Sequence, residues 1–314
     1  MFLPGHSLPR AGAARSDRVI ITQSQKRTTQ FQVSGALEDM SDQTISSYYI
    51  NGELDQRLAE ALRQDGVDPL QPTVQELAPY DQFHGRGLEA TEELASMLDV
   101  APSDHLLDVG SGIGGPARYF ADRFKCKVTG IDLTAEFCDV ARSITERVGL
   151  QHSVEFHNGN ALSMPFANES FDGAYSMNVS MNIEDKGALY REMFRVLRPG
   201  AWLALSEIAK GPGEEMIYPT PWALTAETSF LATPDETREK LQECGFELVS
   251  FHDATDRVIE FGRRSRQLVE QGEKPPHRSV QLIHGPRAIA AMMNSARGIA
   301  EARAVPIEII CRKV

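Results

Sequence analysis

The run Leu106 to Gly115, LLDVGSGIGG, constrains this chain more than any other stretch. An apolar strand ends in Asp108, a glycine-rich turn follows at once, and a helix-like segment, PARYFADRF, begins at Pro116. VTGIDLT then places a second acid, Asp132, at the end of a second apolar strand. Strand, glycine turn, helix, strand and acid make up half of a nucleotide-binding α/β fold. Glycines let a backbone approach a ligand closely and leave the helix N-terminus free to face it. Asp132 is placed to accept hydrogen bonds from a ribose diol. The expectation is an adenosine-type cofactor.

The glycines do not choose which one. Gly110, Gly112 and Gly115 fit G-x-G-x-x-G, and Gly110, Gly112 and Gly114 fit G-x-G-x-G equally well. Either match alone is weak. Asp108 discriminates. A carboxylate two residues before the first glycine repels a pyrophosphate, but it suits a cofactor with an ammonium and a sulfonium. S-adenosylmethionine carries both.

Five stretches resemble class I S-adenosylmethionine-dependent methyltransferases. They are YDQFHGRGLEAT (Tyr80 to Thr91), LLDVGSGIGGPARY, GIDLT (Gly130 to Thr134), GNALSMPFANESFDGAYSMNV (Gly159 to Val179) and REMFRVLRPG (Arg191 to Gly200). The chain is most similar to the small-molecule group that holds sarcosine/dimethylglycine N-methyltransferases and tocopherol- and quinone-type methyltransferases. The resemblance spans residues 45 to 250. It implies a doubly wound, seven-stranded, mostly parallel sheet, with lid helices before it and a helical insertion before the last strand. An NAD(P)-dependent dehydrogenase is the competing reading of the glycines, and Asp108 and the RVLRPG element argue against it. A non-catalytic cofactor-binding protein is a third, disfavoured by the intact motifs.

Charge narrows the partners. The net charge is −12, divided as about +4 over residues 1–34 and about −16 over the remainder. An acidic body disfavours a nucleic-acid partner, since nothing would neutralise phosphates. No apolar stretch is long enough to cross a bilayer. Cys126, Cys138, Cys244 and Cys311 lack metal-ligand spacing and read as reduced thiols of a cytoplasmic enzyme. No metal site is expected. The partner is a small-molecule methyl acceptor, and a homodimer stays open.

Residues 1–40 are Arg-containing and acid-poor, as in a transit peptide. Their one apolar patch is VII (Val19 to Ile21), with no clear amphipathic helix. They read as a disordered or processed extension, or as a start upstream of Met40. Residues 41–100 read as lid helices, with LDQRLAEALRQ and LEATEELASML apolar-periodic. Residues 101–314 read as the core. Strands are expected over 105–109, 127–131, 153–157, 171–176, 201–207, 246–252 and 305–312. Helices are expected over 116–124, 135–148, 185–197 and 234–244. Thr233, Pro234 and Glu236 form a start signal for the last helix, and Gly245 stops it. Residues 209–232 and 255–300 are insertions, the second read as two helices joined by EKPPHRS. Insertions at the carboxyl end of such a sheet usually build the substrate pocket.

The resemblance assigns roles residue by residue. Asp108 holds the amino group of the cofactor. Gly110, Ser111, Gly112 and Gly114 line its methionine part, Asp132 takes the ribose, and Leu133 packs beside the adenine. Asn160, Ala161 and Leu162 surround the adenine; relatives commonly have Asp where Asn160 stands, and Asn keeps an acceptor oxygen. Met177 and Asn178 end the fourth strand, with Asn178 where methyl and acceptor meet. Gln82 and Phe83 complete the cofactor contacts. Tyr80, His84 and Asn178 are the catalytic candidates. Tyr48, Tyr49, Tyr80, His84, Met181 and Trp222 are the acceptor contacts. Many relatives have His where Met181 or Asn182 stands, so one candidate base is missing here. Core packing is the plain alternative for Met177 and Met181. For Arg86 a surface or lid salt bridge is the expected role, with a substrate carboxylate as the minority reading. Arg263, Arg264 and Arg266 read as a solvated helix face. Tyr48, Tyr49, Tyr80, Tyr218, Trp222 and Phe230 fit either a cation–π cage for a methylated ammonium or a hydrophobic staple between lid helices.

Methyl transfer from a sulfonium is an in-line displacement, in which protein aligns the nucleophile and excludes water. A neutral amine or thioether needs no base, whereas a phenol or carbon acid does. With no Asp–His pair in the motifs, an amine or sulfur acceptor is favoured. The expected activity is methylation of N, or S, on a small amino-acid-like metabolite. Glycine, sarcosine and dimethylglycine are the nearest resemblance. O- or C-methylation of a natural product or quinol is the alternative.

Overall fold

A strand covered by helices on both faces has to be apolar along its length. β1 (His105–Val109) meets this with Leu106, Leu107 and Val109, all fully buried. Burying each such leucine contributes roughly 1.5–3 kcal/mol. β1 pairs in parallel with β2 (Lys127–Asp132) on one side and β4 (Phe171–Met177) on the other. β3 (Val154–Asn158) lies outside β2. β5 (Leu197–Lys210) follows β4, and β7 (Ala304–Lys313) runs antiparallel between β5 and β6 (Phe246–Asp253). The order is β3-β2-β1-β4-β5-β7-β6. The computed structural model describes residues 53–314, which fall within one compact unit, Thr44–Val314. Tyr48, Tyr49 and the basic first 40 residues lie outside the described residues.

Alternate residues of a strand point to opposite faces. Leu107 and Val109 enter a cluster with Leu189, Met193 and Leu241, beneath α6 (Lys186–Val196) and α7 (Pro234–Glu243). Leu106 enters another with Ala117, Phe120 and Cys138, beneath α4 (Gly115–Phe124) and α5 (Ala135–Arg147). Ahead of the sheet lie α1 (Leu54–Gln64), α2 (Val74–Asp81) and α3 (Leu88–Ser96). α1 buries Leu54, Leu58 and Leu62, spaced by four, against Leu77 of α2 and Phe137 and Ile144 of α5. Thr233 and Glu236 form the expected reciprocal cap on α7. No described helix is long and apolar enough to cross a membrane.

Two expectations change. β5 begins at Leu197 rather than 201 and runs to Lys210, taking in the start of the presumed insertion 209–232. Its added length is paired with β7, Lys210 standing opposite Ala304. The 255–300 insertion holds three helices, not two: α8 (Thr255–Glu270), α9 (Ser279–His284) and α10 (Ala288–Ala300). Gly285, with φ of 52°, and Pro286 break what read as one helix after EKPPHRS.

Strand order reverses between β1 and β4. The loops leaving their carboxyl ends therefore open into one crevice, where sheets of this type bind ligands.

Candidate active site

The glycine turn is tight because three of its residues adopt left-handed backbone. Gly110, Gly112 and Gly114 have φ of 75°, 53° and 81°. A Cβ on Gly110 would lie 2.2 Å from the Val179 side chain, so the turn closes directly on the loop after β4. The amides of Gly110 and Ser111 donate to the Ile131 carbonyl at 2.8 and 3.1 Å. The carboxylate of Asp132 accepts from Gly112 N–H and Thr134 N–H, both at 2.8 Å. Asn158 fixes the same corner, its amide donating to the carbonyls of Asp132 and Leu133 at 3.1 and 2.9 Å. Asn160 Oδ1 accepts from Leu162 N–H at 2.8 Å, and Ala161 and Leu162 pack partly buried against the sheet. Two acids, the glycines and the 160–162 turn thus border one crevice.

Asp108 is the anomaly. It lies beside Gly130 of β2 and Tyr175 of β4, 2 % exposed, in the layer where Phe120 stacks on Tyr175 at 4.5 Å. Its Oδ2 has no hydrogen-bond partner, and neither does Ser111 Oγ. Burial pushes its carboxyl up to about 8. Tyr175 lies within hydrogen-bonding reach of the carboxyl, but a buried carboxylate oxygen left without a partner is costly, and a cationic group placed beside it would compensate. The turn has the shape, and Asp108 the open valence, to take the amino-acid end of S-adenosylmethionine.

The YDQFH box crosses above this turn. A Cβ on Gly112 would sit 3.2 Å from Phe83, whose ring meets Phe137 edge-on at 5.3 Å. Gly85 N–H donates to Asn178 Oδ1 at 2.7 Å, joining the box to the end of β4. Asn178 has φ of 59°, and its own N–H donates to Ser206 O at 2.8 Å. His84 is buried; its Nε2 lies 3.2 Å from Gln82 Oε1 and 3.0 Å from Thr91 Oγ1. Thr91 Oγ1 donates to Gln82 Oε1 at 2.7 Å and reaches Met177 Sδ at 4.0 Å. Burial pushes the His84 imidazole down to about 3.

Three assignments shift. Tyr80 is buried among the α1 leucines, and its hydroxyl donates to Asp65 at 2.8 Å with Arg278 over its ring at 4.6 Å. Its polar end is committed to Asp65, so it braces the box. Arg86 does form the expected salt bridge to the lid helices, with Glu93 at 2.7 Å, but it is buried rather than at the surface and also meets Glu308 of β7 at 3.0 Å. Trp222 packs with Met181, Met216, Ile299 and Ala304, and its Nε1 donates to Ser229 Oγ at 2.9 Å. That is an apolar cluster with a partly buried rim, and the buried indole is packed within it rather than presented as an aromatic cage.

Sequence reasoning missed the residues that hold the loops. Arg118 and Asp81 form a fully buried ion pair at 2.8 Å, and Arg118 also donates to Ile113 O at 2.7 Å. This ties the YDQFH box to the glycine-turn helix; both residues stood in the quoted motifs, as opposite charges in otherwise apolar settings. Glu207 of β5 accepts from Val179 N–H and Ser180 N–H, both at 3.0 Å. Lys186 donates to Ser180 O and Phe230 O at 2.6 Å and to Ile183 O. Ser279 Oγ donates to the Gln82 carbonyl at 2.8 Å, and His277 Nε2 lies 2.9 Å from it. No local pattern marks these last contacts.

Residues 107–205 match the family model of the methyltransferase domain. With the strand order and the antiparallel β7, this defines a class I S-adenosylmethionine-dependent methyltransferase domain. S-adenosylmethionine is the cofactor of that class. Among relatives, phosphoethanolamine N-methyltransferase 3 of Arabidopsis thaliana is 32% identical over 188 residues, 59% of this chain and 37% of the relative. The O-methyltransferase resE of Aspergillus sclerotiorum is 30% identical over 173 residues, 54% of this chain and 64% of the relative. The chain spans about two fifths of the phosphoethanolamine N-methyltransferases it matches. Among solved structures, geranyl diphosphate C-methyltransferase of Streptomyces coelicolor, bound to S-adenosylhomocysteine, superposes with a TM-score of 0.63 at 19% identity. That match covers 87% of this chain and 98% of that one.

Proposed function

We propose that this protein transfers a methyl group from S-adenosylmethionine to a nitrogen, or a sulfur, of a small molecule. The observation that carries the reading is Asp108, a buried carboxyl with an open valence beside a glycine turn. When bound, S-adenosylmethionine supplies an activated methyl on a sulfonium. Asp108 holds the ammonium end, Asp132 accepts from the ribose hydroxyls, and Ala161 and Leu162 flank the base. Phe83 closes over Gly112 and keeps water out. Asn178, fixed by Gly85 N–H and by its own amide, borders the point of transfer.

The nucleophile follows from what the box does not supply. His84 is held neutral, and its Nε2 is within bonding reach of Gln82 and Thr91. It is a poor proton acceptor, so a nucleophile that attacks with a free lone pair fits best. Relatives named as N-methyltransferases support nitrogen. Calorimetric titration with S-adenosylmethionine, S-adenosylhomocysteine and NAD tests the reading. Micromolar binding of both S-adenosyl compounds and none of NAD is expected; binding of NAD alone would sink it.

A further inference from the structure

We infer that the methyl acceptor presents its nucleophile on an apolar, uncharged framework, rather than on a molecule bearing a phosphate or carboxylate. This rests on the methyl-transfer reading above and departs from the zwitterionic acceptor that the sequence suggested.

The first support is the state of the cations beside Asn178. Arg86 follows Gly85, whose amide binds Asn178, and would be the natural anion contact. Its Nη2 already meets Glu93 and Glu308, and its Nη1, although without a hydrogen bond, lies 3.6 Å from Glu89. An anion arriving there would meet three carboxylates. Arg257 donates to Glu93 at 3.0 Å and Glu308 at 2.6 Å, and Arg264 to Glu89 at 2.8 Å. Lys186 is held by three carbonyls. Drawing Arg86 or Arg257 away from Glu308 would leave that buried carboxylate poorly compensated.

The second support is what continues from Asn178. Three residues on, Met181 enters the cluster of Met216, Trp222, Ile299 and Ala304. Its rim of Ile208, Tyr218, Leu231 and Val258 is only partly buried. Val258 belongs to α8, a 16-residue helix none of whose residues is fully buried. Val258, Phe261, Gly262, Ser265 and Leu268 recur at helical spacing on one side of α8, all half-buried. A helix ordinarily gains its stability by covering such a face. α8 packs against α10 and β7 without burying any residue fully, and it is also fixed at its edges, by Arg257 and Arg264 to α3 and by Arg257 to β7. Val258 joins this side to the cluster that holds Met181. Hydrocarbon surface on the acceptor complements this side, and a charged headgroup would be desolvated against it without compensation.

The test uses matched acceptors and labelled S-adenosylmethionine. One pair is N-methylbenzylamine and sarcosine; the other is benzyl methyl sulfide and methionine; phosphoethanolamine is added. In each transfer the sulfonium–methyl bond breaks as the new bond forms and S-adenosylhomocysteine is released; the amine loses its proton to water. At least tenfold higher kcat/KM is expected for the apolar member of a pair. Val258→Asp and Phe261→Ser are each expected to lower that value at least fivefold, with S-adenosylmethionine affinity kept within twofold as the sign of an intact fold. Equal or absent turnover within both pairs, or preference for sarcosine, methionine or phosphoethanolamine, overturns the inference. Loss of S-adenosylmethionine binding in the unsubstituted protein would instead overturn the methyl-transfer reading beneath it.

Discussion

The two sides of the crevice solve opposite problems. On the β1–β3 side, polar groups are buried and left open: Asp108 Oδ2 and Ser111 Oγ have no partner. On the β4–β5–β7 side, buried charges are mostly engaged: Glu207 accepts from two amides, Lys186 caps three carbonyls, and Arg86 pairs with Glu308 through Nη2, its Nη1 facing Glu89 at 3.6 Å without a hydrogen bond. Unfilled valence marks where a charged ligand belongs, and saturated charge marks scaffold. The cofactor side is built to gain from a polar guest. The acceptor side spends its charges on holding loops and leaves hydrocarbon for its guest.

The largest effect should come from the pair that joins the YDQFH box to the cofactor side. Arg118→Ala leaves Asp81 buried and unpaired, which costs about 3–5 kcal/mol; urea unfolding should show a midpoint shifted down with an unchanged slope. Next is Asp108→Asn. Losing one charge-assisted bond costs about 1.5–3 kcal/mol, so S-adenosylmethionine should bind roughly 10- to 150-fold more weakly by calorimetry. The sign of the pH effect is definite. The Asp108 carboxyl titrates at about 8 in the folded protein, above its unfolded value. Stability of the unliganded protein should therefore fall as pH rises from about 4 to 8 and then level off. Cofactor affinity should rise over the approach to pH 8, with proton release, and Asp108→Asn should flatten both profiles.

Lys186→Met tests the other side. Three carbonyls lose their donor, for about 1–3 kcal/mol, measured by thermal unfolding, and kcat should fall while cofactor affinity stays. A large drop in cofactor affinity would erase the division between the sides. The smallest effect belongs to Thr233→Ala, outside both. It removes the α7 cap for about 1 kcal/mol, and neither cofactor affinity nor turnover should change.

The division also explains what could be read from sequence. The cofactor side was legible because its parts are consecutive: strand, glycines and acid within Leu106–Asp132, each with a fixed local geometry. The cap on α7 was legible for the same reason, since Thr233 and Glu236 are three residues apart. The salt-bridge role of Arg86 was legible, but its burial was not, because Glu308 stands 222 residues away. Sequence left Trp222 open between a cage and a staple because its neighbours Met181, Ile299 and Ala304 come from separate segments. Its burial is a product of packing, which no local pattern carries. Tyr80 misled in another way: its motif is local, but Asp65 and Arg278 decide where its hydroxyl turns.

The YDQFH box was expected to lie over the cofactor as a lid, yet it is stitched to its surroundings along its length. Asp81 is held by Arg118, the Gln82 carbonyl by Ser279, the Gly85 amide by Asn178, and Arg86 by Glu308. A flap needs a free edge, and these four anchored residues leave none. Gly85 N–H, held by Asn178, should exchange with solvent more slowly than the amide of a gate would. The box therefore acts as a keystone. Ligand traffic has to pass around it, and the breathing that admits the cofactor must come from the segments packed outside it.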